Sequence, residues 1–163
     1  VWINKKMADY IKGKMYIDEL NVARMIKKSF WKLKIKSDFG CILLHEIETK
    51  NLEWEYIIQE YENKTGFELY ENEIYVEAYI KTKNLGKKVY VARRMADCLR
   101  LRLRKEFPLE KICIILIVSL DEYCDAKIHF CKVRPDEFER YYYSSQEKID
   151  EFKTEMIEVL FTK

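Results

Sequence analysis

Few side chains in this 163-residue chain have both the type and the spacing to do chemistry. His129 and Cys131 stand two apart in an apolar stretch, so on a strand they share one face. Cys113 is expected across a hairpin from them and Cys124 in the turn between, a set of soft ligands of the kind zinc takes. The spacing matches no C-x-x-C or C-x-x-H knuckle, however, and lone cysteines commonly pack as small hydrophobes. A nucleophilic Cys–His pair drawn from the same residues has less to recommend it. Asp38, Glu77 and Lys81 invite comparison with nucleases that hold Mg²⁺ on strand carboxylates beside a lysine. Glu77 and Lys81 are four apart, though, where the E-x-K pattern has two. The four glycines, at positions 13, 40, 66 and 86, form no phosphate loop, and there is no G-x-S-x-G or H-E-x-x-H. Tyr141-Tyr142-Tyr143 resembles a stacking platform but suits packing at the entry to a last helix better. The sequence therefore assigns no catalytic residue, metal or cofactor, and leans away from an enzyme.

The stronger pattern is charge. A net charge of +2 conceals four blocks. Residues 1–45 hold 10 basic and 4 acidic side chains (+6), and residues 46–80 hold 2 and 10 (−8). Residues 81–111 hold 11 and 3 (+8), and residues 112–163 hold 7 and 11 (−4). Blocks of this size either cluster into docking faces or neutralise each other across neighbouring elements.

In the acidic block, carboxylates alternate with aromatic rings. Glu53, Trp54, Glu55, Tyr56, Glu60, Tyr61, Glu62, Glu71, Glu73 and Glu77 form the candidate partner-binding face. Aromatics anchor and carboxylates steer, which suits a basic protein partner. The plainer reading is an exposed helix and strand with half-buried tyrosines. In the second basic block, Lys87, Lys88, Arg93, Arg94, Arg100, Arg102 and Arg104 lie on one helix and form the alternative, a nucleic-acid-binding surface. Its competitor is a solvated helix whose arginines pair with Asp97 and with the acidic block.

The elements that must position these residues follow from periodicity. Residues 17–28 read as a helix. Trp31, Leu33 and Ile35 alternate with lysines as an edge strand, Ser37-Asp38-Phe39-Gly40 turns, and 41–48 returns. Trp54, Ile57, Ile58 and Tyr61 mark a helix that Gly66 is expected to stop. Residues 74–80 alternate as a strand, and 88–107 form the longest helix, ended by Pro108. Ile112–Ser119 is continuously apolar and reads as the central strand, with 127–133 as its antiparallel partner. Ser144 and Glu147 read as a capping box opening a last helix over 146–161.

The expected fold is thus a single α+β domain over 1–163, a mostly antiparallel sheet of four to five strands packed by about four helices. Residues 1–14 are expected to be a flexible or non-native leader without a signal peptide. Hydrophobic residues at 48 % and 12 tyrosines exclude a disordered chain. No apolar run is long enough to span a bilayer, so no membrane partner is expected. Five unpatterned cysteines suit reduced thiols in a cytoplasm, and the Lys, Ile, Glu and Tyr usage suits a bacterial source. The function expected first is a small cytoplasmic protein-binding module of immunity or antitoxin type, neutralising a basic partner such as a nuclease toxin. Pairing of the charged blocks between protomers, as a homo-oligomer, is compatible with the same pattern.

Overall fold

The structure, a computed structural model, describes residues 1–12, 26, 30 and 32–163. Apart from Ile26, the helix expected over 17–28 lies outside the described residues, as does Trp31. The elements are β1 (Trp2–Ile3), α1 (Lys5–Lys12), β2 (Ile35–Asp38), β3 (Cys41–Leu44), α2 (Trp54–Tyr61), α3 (Lys64–Glu71) and β4 (Glu73–Tyr75). A short 3₁₀ turn (Val76–Ala78) leads to α4 (Leu85–Glu106), β5 (Ile112–Ser119), β6 (Ala126–Lys132), α5 (Pro135–Phe138), α6 (Gln146–Asp150) and β7 (Glu155–Phe161).

The fold is α+β: a five-stranded antiparallel sheet in the order β1-β7-β5-β6-β4, beside a separate β2–β3 hairpin. Strand β5 is central because it can be covered on both faces. Its Ile112, Ile114, Leu116 and Val118 face α4 through Val91, Met95, Leu99 and Leu103. Cys113 and Ile115 face the opposite way, with Cys131, Ile157 and Val159, under Phe138 and Ile149. The two layers share the strand backbone and nothing else. Ile26 and Phe30 are buried in the α4 layer.

Several expectations need correction. Residues 146–161 are not one helix: α6 stops at Asp150 and the chain returns as β7, paired along β5 from Ser119↔Glu155 to Cys113↔Phe161. Met156–Phe161 carries one polar residue, Glu158, so it satisfies a strand buried on both faces better than an amphipathic helix. The cap is also one residue later, with the Ser145 hydroxyl accepting from the Lys148 N–H. Residues 74–80 pair with β6 only as far as Tyr75 and then turn, Ile80 N–H bonding Val76 O at 3.1 Å. Buried Ile74, Val76 and Ile80 fit that turn as well as they fit alternation. Residues 1–12 are tied into the fold. Asn4, fully buried, accepts from Met7 and Ile157 N–H through Oδ1 and donates to Glu155 O, binding α1 to β7.

The strand expected over 41–48 is shorter, ending at Leu44. The hairpin turn itself forms as expected. Phe39 and Gly40 both take positive φ, 55° and 72°, the pair of left-handed residues a two-residue hairpin loop requires. Gly66 does not stop α2. It sits in the first turn of α3, where its N–H is capped by Asn63 Oδ1 at 2.9 Å, and a Cβ there would collide with Tyr61 O and the Tyr141 hydroxyl.

Candidate functional site: an acidic, aromatic cleft

After Leu44 the chain bends back, Ile47 N–H bonding Leu44 O at 3.2 Å. The Lys36 ammonium holds the bend by donating to Ile47 O and to the Thr49 hydroxyl, whose own proton goes to Asp38. This swings Glu46 and Glu48 over the side of the hairpin that faces α2 and α3. With them, Tyr56 and Tyr61 of α2, Phe67 and Glu71 of α3, and Glu73 at the start of β4 line one concavity of about 540 Å³. The apolar side chains of Leu44, Ile47 and Leu52 complete its lining.

Its aromatic wall is set by contacts rather than by exposure. The Tyr61 hydroxyl donates to Glu71 Oε1 at 2.7 Å, and its ring lies edge-on to Phe67 at 5.1 Å, Tyr70 at 5.4 Å and Tyr56 at 6.4 Å. Burial, then the neighbouring Glu71 carboxylate, pushes the Tyr61 phenol well above its ordinary pKa, so it stays a hydrogen-bond donor. Tyr56 is 48 % exposed and presents its ring at the rim.

The four carboxylates are not equivalent. Burial disfavours ionisation of Glu73, but hydrogen bonds from Lys127 and Tyr75 outweigh it and hold the carboxyl below its usual range. Lys127 Nζ is 2.7 Å from Glu73 Oε1 and lies 4.8 Å over the Tyr75 ring. Glu71 accepts from the neutral Tyr61 hydroxyl. Glu46, Glu48 and Glu71 make no ion pair among the described residues. The cleft therefore carries three carboxylates that no described cation neutralises, beside aromatic rings.

A buried polar lock keeps the hairpin wall in place. Glu68, fully buried, accepts from Ile42 N–H, Lys132 N–H and the guanidinium of Arg134, and Arg134 also donates to Gly40 O. Burial raises the Glu68 carboxyl while Arg134 and the two backbone N–H groups pull it back. Asn72 accepts from Leu44 N–H and donates to Ile42 O and Phe130 O. α3 thus fastens the two-stranded hairpin to β6. Cys41, buried beside Glu68, is pushed up to about 11, by burial first and by the carboxylate second.

Of the residues expected on the partner face, Tyr56, Tyr61, Glu71 and Glu73 meet in the cleft. Glu53, Glu55, Glu60 and Glu62 are exposed on or beside α2, outside its lining. Trp54 is partly exposed, with Lys64 Nζ 4.8 Å from its ring centre. Glu77 lies elsewhere, pairing with buried Lys88 at 2.9 Å and capping Ala126 N–H. Glu46 and Glu48 belong to the site, but a strand over 41–48 would have strung them along an edge. The signal was the polar break after Leu44.

The basic helix α4 is largely committed to the fold. Arg93 donates two bonds to Glu158, at 2.6 and 3.0 Å, and Glu158 is 4 % exposed. Arg100 pairs with Asp97, and Arg102 pairs with Glu106 and donates to Leu33 O. Lys88 is buried against Glu77. Lys87, Arg94 and Arg104 remain exposed, Arg94 lying 6.0 Å from the Tyr90 ring centre.

The other candidates separate. Cys113 and Cys131 are directly opposite on β5 and β6, both buried, and burial raises Cys131 well above an ordinary thiol. His129 Nδ1 is bonded to Leu69 O at 2.9 Å, and Cys124 lies in the β5–β6 turn with its thiol on Asp121 O. No group of three His, Cys, Asp or Glu among the described residues could hold a metal ion. Asp38 is engaged at the hairpin tip, Glu77 by Lys88, and Lys81 is exposed. Tyr141 donates to Asn63, and Tyr143 stacks on Phe152, so this trio packs at the entry to α6. No described helix is long and apolar enough to cross a membrane.

Compared with known proteins, residues 2–161 match the model of the Uncharacterized protein PM0498 family, and the chain belongs to that family. No curated protein and no solved structure matches it.

Proposed function

We propose that this chain, as a member of that family, is a protein-binding module that takes basic side chains of a partner into the acidic, aromatic cleft. Its most concrete form is an immunity- or antitoxin-type inhibitor acting in a bacterial cytoplasm, because toxins that hold nucleic acid present basic surfaces. The observation that carries the reading is the cleft itself: Glu46, Glu48 and Glu71, without cationic partners among the described residues, line a concavity of about 540 Å³ together with Tyr56 and Tyr61. Carboxylates at such a site steer a basic partner to it, and rings that are already ordered anchor it at little entropic cost. The exposed Glu53, Glu55, Glu60 and Glu62 extend the negative field around α2 without lining the cleft.

The two groups should separate in kinetics. With a lysine- and arginine-rich peptide as the probe, E46Q/E48Q/E71Q should weaken affinity about tenfold or more, mostly through faster dissociation. Charge reversal at Glu53, Glu55, Glu60 and Glu62 should slow association at low salt and matter little at high salt. No binding by the unaltered protein, or unchanged affinity in the cleft variant, would overturn the proposal.

The alternative, nucleic-acid binding through α4, rests on Lys87, Arg94 and Arg104, which with Lys105 are the exposed cations of that helix. Replacing Arg94 and Arg104 should then weaken binding of any nucleic acid and flatten its salt dependence. Arg93, Arg100 and Arg102 are already held by carboxylates.

A further inference from the structure

Resting on the cation-binding reading of the cleft, we infer that it selects arginine over lysine, the partner's contact being a guanidinium inserted between Glu46, Glu48 and Glu71 and laid against the Tyr56–Tyr61 wall. Three features of the site converge on a planar, delocalised cation.

The first is the wall. Tyr61 is fixed by its bond to Glu71 and by edge-on contacts with Phe67 and Tyr70, and Tyr56 stands edge-on to it at the rim. A guanidinium can stack flat on such a ring as well as attract its face, whereas an ammonium can only do the second. The second is the placement of the carboxylates. Glu46 and Glu48 come from the turn after β3 and Glu71 from the end of α3, so two separate elements deliver carboxylates to one concavity. Five N–H donors in a fixed fork can engage several such acceptors at once, where a compact ammonium is a single point charge. The third is the set of apolar side chains in its lining, Leu44, Ile47, Leu52 and Phe67, against which an entering cation gives up part of its water. A guanidinium is more weakly hydrated than an ammonium and loses less by that.

The fourth carboxylate of the cleft, Glu73, is already paired within the chain. Lys127 pairs with Glu73 from the β6 side and lies over Tyr75, leaving the Glu46–Glu48–Glu71 end open.

The test is a titration of the intact protein with hexa-arginine and with hexa-lysine, equal in charge, followed by calorimetry at moderate salt. Hexa-arginine should bind about five- to tenfold tighter. Tyr56→Leu, at an exposed position, should weaken hexa-arginine binding more than hexa-lysine binding and bring the two peptides to within about twofold of each other. Equal affinities in the unaltered protein, tighter hexa-lysine binding, or a preference that survives Tyr56→Leu would overturn arginine selection and leave cation capture standing. Failure of both peptides to bind would overturn both.

Discussion

Replacing Arg93 by methionine should cost the fold about 2–4 kcal/mol, although the residue lies on the exposed-looking basic helix. The magnitude follows from its partner. Glu158 sits on β7 in the α4 layer at 4 % exposure, and both its oxygens accept from Arg93, at 2.6 and 3.0 Å. Methionine keeps much of the aliphatic packing but strands that carboxylate beneath α4 with no cation. Breaking a buried pair in this way costs about 3–5 kcal/mol. The Arg93 side chain is 34 % exposed, so water reaches part of the vacated site and screening lowers the cost to about 2–4 kcal/mol. Urea unfolding is the assay, and a loss of this size should move the midpoint down by roughly 1–2 M. R93M/E158M removes both charges together and should recover most of the loss, since an apolar pair of similar volume is often neutral or better. R104M, on the same helix and without an ion pair among the described residues, should change stability by less than about 0.5 kcal/mol. An R93M variant within about 0.5 kcal/mol of the parent would refute the view that α4 spends its arginines on the fold.

Other consequences are as direct. Gly66→Ala should destabilise by about 1–3 kcal/mol despite alanine's higher helix propensity, because its Cβ meets the Tyr61 carbonyl and the Tyr141 hydroxyl; thermal unfolding reads it. Asn72→Ala should cost about 2–3 kcal/mol and speed amide exchange in β3 more than in β5, since Asn72 joins Leu44 and Ile42 to Phe130. Burial lowers the His129 pKa against the opposing pull of Leu69 O and Glu73, so the unfolded chain binds its proton more readily. Stability from this group is complete above about pH 6.5 and falls as pH drops through the window just below it. His129→Asn should flatten that part of the pH–stability curve. Glu73, whose pKa is lowered, contributes stability present above about pH 4.3 and lost as pH falls further, so Glu73→Gln should remove a loss at more acidic pH.

What could be read in the sequence was set by periodicity with one clear solution. The apolar run of β5, the long stripe of α4 and the Phe39-Gly40 turn each allow only one regular structure, and each formed. Where two structures bury the same residues, the decision belonged to partners distant in sequence. Met156–Phe161 satisfies both a helix face and a two-sided strand, and it becomes a strand because β5 offers its free edge. Ile74, Val76 and Ile80 suit a strand or a turn, and the turn places Glu77 on Ala126 N–H and Lys88. The site was half visible for the same reason. The alternation of carboxylates with tyrosines brought out Tyr56, Tyr61, Glu71 and Glu73. The bend that delivers Glu46 and Glu48 depends on Lys36 and Thr49, which no local pattern links to them. The basic helix drew attention through its charge count, but counting cannot distinguish an arginine facing solvent from Arg93 facing Glu158.

The central claim, that the cleft is the working surface, is tested most directly by mapping amide shifts of the isotopically labelled protein as a basic peptide is titrated in. The account predicts saturable shifts confined to Glu46–Glu48, Tyr56, Tyr61 and Glu71–Tyr75, with α4 unmoved. Shifts centred on Lys87, Arg94 and Arg104, or none at all, would contradict it.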